Sequence, residues 1–334
     1  MGLDLGRAGL KLVGIRPDRS VSQWRYPLAS GLVWQSNEDE IARIRAFIRS
    51  QGLAGCPVAV NLDDDSLKIR KVELPRMPEA DRKEAVTWQI REILDGDPAN
   101  YVIRHSLIDE SAGVTESGKA AYMVYAVKKS VIEGVMALVK KLLLVPKVVE
   151  PKVVSLLAAF GRVNGFQAGR YDALIEIGES KSLFAVVREG RLYFSRPLSG
   201  VGGHEVEKLV QTALNLAGAE SSEVRELLEG ARQPTDAQLP ILDKAESLLP
   251  DYHSRVAMEI QRSIDAFYLM FHAEKIHRLY LSGGGARLAG MRHYLAENLA
   301  VPTEVLDPSQ AFRMNSKESA HVYNVALGLA LYPL

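Results

Sequence analysis

Leu3-Asp4-Leu5-Gly6 opens a pattern that returns later in the chain as Ile175-Glu176-Ile177-Gly178. In both places an apolar segment follows, Leu10-Lys11-Leu12-Val13 and then Leu183-Phe184-Ala185-Val186, and a third segment ends in Pro-Leu. An internal repeat constrains the fold more than any single motif does. The pattern predicts two homologous halves, each of which begins with a three-stranded β-meander.

The first turn of each predicted meander carries a carboxylate and a glycine. Glycine lets the backbone turn tightly and approach a ligand closely. Successive N–H groups in such a turn can bind phosphate, and a nearby carboxylate can hold Mg²⁺ or order a water. We therefore expect Asp4 and Glu176 to face each other across a crevice that grips the phosphates of a nucleotide. Two ordinary hairpins are the alternative interpretation.

A third glycine-rich turn, Ser282-Gly283-Gly284-Gly285, lies between a predicted strand and a predicted helix. Its open backbone can receive a flat base or a ribose. It is not a dinucleotide-binding fingerprint, because Leu288 stands where that motif needs its third glycine. Gly202-Gly203 follows the second meander and leads into another helix.

Bulk composition excludes several classes of protein. The 334 residues indicate two domains or several subdomains, and 41 basic residues balance 41 acidic ones, so no broad basic face for nucleic acid is expected. The single cysteine, Cys56, cannot form a disulfide within the chain, which is typical of a reducing compartment. The most apolar stretch is interrupted by Pro146 and Lys147. We expect a cytosolic protein that reaches the membrane through partners.

Residues 66–144 form a separate block in which strand, helix, strand, strand and helix follow one another. This order predicts a small α+β subdomain inserted into the first lobe. The first lobe then consists of residues 1–65, 145–170 and 316–334, and the second lobe of residues 171–315. The stretch from Gly113 to Ala120 resembles a P-loop but lacks its final hydroxyl, so we interpret it as a hairpin turn. Asp63-Asp64-Asp65 is interpreted as a solvated turn.

These motifs resemble those of the actin-like ATPase superfamily. Asp4, Gly6 and Lys11 are similar to its first phosphate loop, Glu176-Ile177-Gly178 to its second, and Ser282 to Gly285 to its adenosine loop. The resemblance implies an α/β, two-lobed actin-like fold (a duplicated ribonuclease H-like unit) with a nucleotide cleft between the lobes. The residues expected to bind the nucleotide are Asp4, Gly6, Lys11, Glu176, Gly178, Gly202, Gly203, Gly283, Gly284 and Gly285. Asp4 and Glu176 are expected to hold Mg²⁺ through water.

Within the superfamily the chain resembles the PilM family of type IV pilus assembly proteins. The signs are Glu73 to Pro78, Ile260 to Ile264, Leu281 to Gly290 and Ala326 to Ala330. The resemblance implies a cytoplasmic scaffold at the inner membrane that binds ATP and the cytoplasmic tail of a PilN-like membrane protein. It also implies contact with the pilus assembly ATPases and the platform protein.

Two departures from the family pattern concern ATP and Mg²⁺. Arg7-Ala8-Gly9 offers no hydroxyl after the first loop, and Glu176 replaces the usual aspartate of the second. No residue is identified as a water-activating base, so at most a weak ATPase is expected. Two rival hypotheses are a small-molecule kinase of the same superfamily and a degenerate scaffold that binds no nucleotide.

Overall fold

The computed structural model describes residues 1–28, 37–109, 119–230, 232–273, 275–314 and 319–334. Most of the P-loop-like stretch, residues 113–118, lies outside the described residues. Among the residues described, no helix is both long and apolar enough to cross a membrane.

The strands are β1 (Gly2–Gly6), β2 (Gly9–Ile15), β3 (Ser20–Pro27), β4 (Pro57–Leu62), β5 (Lys68–Pro75), β6 (Tyr101–Asp109), β7 (Lys119–Lys128), β8 (Val145–Pro151), β9 (Asp172–Ile177), β10 (Ser182–Arg188), β11 (Arg191–Leu198), β12 (Arg278–Ser282), β13 (Thr303–Val305) and β14 (Arg313–Met314). The α-helices are α1 (Glu38–Ser50), α2 (Glu79–Ile90), α3 (Lys129–Lys141), α4 (Lys152–Val163), α5 (Gly203–Leu214), α6 (Gly218–Leu228), α7 (Leu239–Glu246), α8 (Leu249–Phe271), α9 (Met291–Asn298) and α10 (Asn324–Ala330). Short 3₁₀ helices cover Arg91–Ile93, Pro98–Asn100, Gly284–Arg287, Pro308–Gln310 and Ala320–Tyr323.

Two sheets follow the same plan. In the first, the order is β14-β3-β2-β1-β4-β8; in the second it is β11-β10-β9-β12-β13. Each begins with an antiparallel meander, and its first strand then pairs in parallel with a strand that a later helix-containing crossover brings back. The predicted α/β, two-lobed, duplicated actin-like fold is confirmed.

Helices α4 and α10 pack against each other between the two sheets. Their approach depends on Gly328, because a Cβ there would lie 1.8 Å from the carbonyl oxygen of Ser155. Gly2 has the same role where α10 crosses β1: a Cβ on Gly2 would lie 1.9 Å from the carbonyl oxygen of Ala326. Gly2 therefore lets α10 approach the first sheet, and Gly328 lets α10 approach α4.

The predicted insertion contains its own antiparallel sheet, β5-β7-β6, covered by α2. Helix α3, which the sequence placed in the same block, packs instead with α1 on the first sheet, where Val135 and Val139 join Ile44 and Ile48 in one core. Burial of each such side chain contributes roughly 1.5–3 kcal/mol relative to its exposure. Helix α3 thus serves as the crossover between the parallel strands β4 and β8.

The short strands β13 and β14 were not predicted. Strand β14 pairs with β3 of the first sheet, although it falls within residues 171–315. Helix α4, within residues 145–170, places its apolar face in the core of the second sheet. The division of the chain into lobes stays a prediction.

Candidate functional site

A cleft of about 280 Å³ lies where the turns of the two meanders meet. Of the residues predicted to bind nucleotide, those that line it are Asp4, Gly6, Lys11, Glu176, Gly178, Gly203, Gly284 and Gly285. The basic side chains on its wall are Arg7, Lys11, Arg25, Lys152, Lys181, Arg225 and Arg287. The acidic ones are Asp4, Asp63, Glu176, Glu179, Glu226 and Glu229. The cleft is therefore rich in paired charges.

The first hairpin holds Asp4 in a fixed orientation. Asn61, at the end of β4, donates from Nδ2 to Asp4 Oδ1 at 2.8 Å and accepts the backbone N–H of Leu5 at 2.7 Å. Lys11 Nζ lies 3.2 Å from Asp4 Oδ2. Both carboxylate oxygens of Asp4 consequently have donors supplied by the protein, and the carboxylate is buried.

The second hairpin needs its glycines for close approach. A Cβ on Gly178 would lie 2.5 Å from the carbonyl oxygen of Lys181. The N–H of Gly203 donates to the carbonyl of Gly178 at 2.9 Å, which joins the start of α5 to the turn. Gly202 does not line the cleft: its carbonyl accepts the buried Tyr252 hydroxyl, and a Cβ on Gly202 would meet the Glu179 backbone at 2.5 Å.

In the third glycine-rich turn, some glycines are required for close packing and one faces open space. Gly283 has φ +82°, and a Cβ there would lie 2.5 Å from the carbonyl oxygen of Ile177. A Cβ on Gly285 would lie 2.2 Å from Ile177 Cγ2. Gly284 faces open space, with no atom within 4 Å of an added Cβ. Gly283 thus packs behind the cleft, and Gly284 presents open backbone to it.

Lys152, the first residue of α4, lies between carboxylates from both sheets. Its Nζ is 2.8 Å from Asp63 Oδ2 and 3.5 Å from Glu176 Oε2. Lys181 Nζ lies 2.8 Å from Asp65 Oδ1 and 3.7 Å from Asp63 Oδ1. Asp64 and Asp65 are exposed, as expected for a solvated turn, but Asp63 belongs to this charge cluster.

The charges of this cluster shift one another's pKa values. Burial opposes the charge of Lys152, but Glu176, Asp63 and Asp4 outweigh it and raise the pKa of Lys152, so its ammonium stays protonated. Burial would raise the pKa of Asp63, yet Lys152 and Lys181 hold it below its usual value. Burial raises the pKa of Glu176; Lys152 opposes this shift and Asp4 adds to it.

Arg225 on α6 closes one wall of the cleft. Its Nη1 contacts Glu179 Oε2 at 2.7 Å and Glu229 Oε1 at 3.2 Å, and its Nε lies 3.5 Å from Glu207 Oε2. This network ties the second hairpin to α5 and α6. It positions the turn rather than offering a free cation.

Sequence reasoning missed Asn61, Asp63, Lys152 and Arg225. Asn61 is the penultimate residue of the predicted strand Pro57–Leu62, and a polar residue so close to the end of an apolar strand could have indicated a site. Lys152 gave little signal, because a lysine at the start of a helix is ordinary and its neighbours lie far away in sequence. The arrangement suits a phosphate-bearing anion, since glycine turns from both sheets and several cations face one small space.

Comparison with known proteins assigns the chain to a family. The family profile described as type IV pilus assembly protein PilM matches residues 2–333. No curated protein matches the chain. A solved structure described as a PilM-PilN type IV pilus biogenesis complex is similar with a TM-score of 0.80 and 21% identity, over 99% of this chain and 97% of that chain.

The ethanolamine utilization protein EutJ from Carboxydothermus hydrogenoformans is similar with a TM-score of 0.55 and 13% identity, over 99% of this chain and 89% of that chain. At such identities the likeness to solved structures shows the fold alone. The family profile covers almost the entire sequence, and the resemblance proposed from the motifs is confirmed. The chain belongs to the PilM family of type IV pilus assembly proteins.

Proposed function

We propose that the protein is a cytoplasmic, actin-like scaffold of type IV pilus assembly that binds ATP in the cleft and the tail of a PilN-like inner-membrane protein in an adjacent groove. It would reach the membrane, the pilus assembly ATPases and the platform protein through such contacts. The observation that carries the nucleotide part is the convergence of Gly6, Gly178 and Gly284, from three separate turns, on one cleft.

The cleft offers what a polyphosphate needs. Arg7, Lys11 and Lys181 surround the two hairpin turns, and charge-assisted hydrogen bonds to phosphate are roughly twice as strong as neutral ones. Gly284 leaves room for the nucleoside at the rim. The fit to Mg²⁺ is poor, because Asp4 and Glu176, the expected ligands, are already paired with Lys11 and Lys152.

A steric substitution tests nucleotide binding without disturbing the core. Gly284→Leu projects a side chain into the open cleft, where an added Cβ meets no atom, and Gly284 does not have a positive φ. Gly134→Leu on the exposed face of α3 is the matched control, since it also adds its Cβ in open space.

Isothermal titration with ATP should give equal affinities for wild type and Gly134→Leu, and no measurable heat for Gly284→Leu. Thermal unfolding checks that all three proteins fold. Equal ATP affinity in all three proteins would refute the assignment of the cleft. Absence of ATP binding to wild type would favour the degenerate scaffold.

A groove of about 620 Å³ lies beside the cleft, at the point where the chain enters the inserted subdomain. Leu67 and Ile69 line it together with Leu183 and Leu198 of the second sheet, and acidic and basic residues also belong to its lining. A lining that mixes apolar and charged side chains suits an extended peptide that has both kinds of side chain. A PilN-like tail is the proposed occupant, because the similar solved structure is a PilM-PilN complex.

A fluorophore-labelled peptide of the cytoplasmic tail of a PilN-like membrane protein from the same organism tests the groove by anisotropy. Leu183→Gln, in the groove, should weaken binding about tenfold, whereas Leu269→Gln on α8, which is 79% exposed, should leave it unchanged. Equal affinities for the two variants would place the tail elsewhere.

A further inference from the structure

Lys152 contacts Glu176 and lies near Asp4, the two carboxylates that the sequence predicts as Mg²⁺ ligands. Its ammonium contacts Asp63 at the end of β4 and Glu176 on β9, and it feels the charge of Asp4 on β1. These acids come from both sheets, and the lysine comes from the helix that runs between them. Only 8% of the residue is exposed, so its positive charge is a fixed part of the cleft wall.

The surrounding ligands do not fit a hydrated divalent cation. Mg²⁺ binds through one or two carboxylates at 2.0–2.1 Å in near-ideal octahedral geometry, and it keeps several waters. Here the oxygens of Asp4 accept from Asn61 and Lys11, and Glu176 faces an ammonium. A second cation beside Lys152 would also be repelled.

From this arrangement we infer that the cleft binds the phosphates of a nucleotide without a divalent cation, and that the Lys152 ammonium supplies the charge that Mg²⁺ would otherwise provide. The inference rests on the proposed nucleotide binding. Asp63 and Glu176 hold the ammonium in place, and Lys11 and Lys181 supply further positive charge on either side. The phosphate oxygens would take the remaining N–H donors of these ammonium groups.

Titration of wild type with ATP, once with excess MgCl₂ and once with EDTA at matched ionic strength, is the first test. Affinities within about threefold of each other are expected, because the site's own cation does not depend on Mg²⁺. Millimolar MgCl₂ should also leave the unfolding temperature of the unliganded protein unchanged relative to NaCl. Binding that requires Mg²⁺ overturns the inference and leaves nucleotide binding standing. Absence of ATP binding in both buffers overturns both.

The second test asks whether Lys152 contacts the phosphates or only stabilises the fold. Removing Lys152 alone strands buried carboxylates and threatens folding, so Lys152→Met is combined with Glu176→Gln, which preserves the net charge. The double variant should fold and should bind ATP at least about tenfold more weakly than wild type in EDTA. Lys147→Met, at an exposed position of β8, is the control and should bind as wild type does. Unchanged affinity of the double variant would overturn the role assigned to Lys152.

Discussion

His321 should make the protein labile to mild acid. It lies in the 3₁₀ turn Ala320–Tyr323 behind the glycine-rich turn, and its carbonyl accepts from Ser282 Oγ. Its Nε2 is buried and has no hydrogen bond to any described residue. Burial, together with nearby Arg287, lowers the pKa of His321 from 6.5 to about 4. The folded protein thus holds this ring neutral at a pH where the unfolded chain protonates it.

The direction and the size of this loss of stability follow from proton linkage. Below the unfolded pKa the unfolded state binds one more proton than the folded state, so the free energy of unfolding falls as pH falls, and the loss is complete at the folded pKa. A difference of about 2.5 pH units at 1.36 kcal/mol each gives about 3 kcal/mol for the full effect. About 2 kcal/mol of it should appear between about pH 7 and pH 5.

Urea denaturation at several pH values, followed by circular dichroism, measures this loss. His321→Gln removes the titrating group, so its free energy of unfolding should decline about 2 kcal/mol less than that of wild type between about pH 7 and pH 5. His293→Gln, an exposed histidine on α9, is measured beside the other two proteins as the control for the loss of a histidine. Parallel curves for wild type and His321→Gln would refute the reasoning, whatever their absolute stability.

Two further predictions concern packing and coupling. Gly328→Ala forces α4 and α10 apart, because its Cβ would lie 1.8 Å from the Ser155 carbonyl oxygen, and it should lower the free energy of unfolding by about 1–3 kcal/mol. Gly134→Ala on α3 should instead raise the free energy of unfolding by up to about 1 kcal/mol. Unfolding temperatures that shift in the same direction for the two variants would contradict this. Asp63 and Lys152 line both the cleft and the groove, so ATP and the tail peptide should change each other's affinity by the same factor. Titrations of each ligand with and without the other measure that factor, and independent affinities would argue against coupling.

The duplicated fold was open to sequence reasoning because the repeat carries its own pattern. Two turns with Asp4-Leu5-Gly6 and Glu176-Ile177-Gly178 predicted two meanders, and the structure contains both of them. Strand β14 was not predicted, because a strand of two residues shows no alternation of apolar and polar side chains. Helix α3 was placed in the insertion because its amphipathic face shows that it packs but not against which sheet.

The charge cluster was less accessible, because each member looks ordinary where it stands in the chain. Asp63 sits in a run of three acids typical of a solvated turn, and Lys152 follows a proline at a helix start. They meet because β4 and β8 pair in parallel with Leu62 opposite Pro151, although the whole inserted block separates them in sequence. The glycines of the turns were predicted as binding positions, yet Gly202 and Gly283 serve close packing, and a bare glycine does not reveal which purpose it has.

The two halves hold their equivalent carboxylates, Asp4 and Glu176, by different means. This difference explains why Lys152 lies beside Glu176. On the first sheet the parallel neighbour of β1 supplies Asn61, whose amide donates to Asp4. On the second sheet the parallel neighbour of β9 places Ser282 beside Glu176, but the hydroxyl of Ser282 is engaged with the His321 carbonyl and the amide of Asn324. A buried carboxylate still needs a donor or a counter-ion. Lys152 supplies it from the helix between the sheets, and the same contact brings a permanent positive charge to the floor of the cleft.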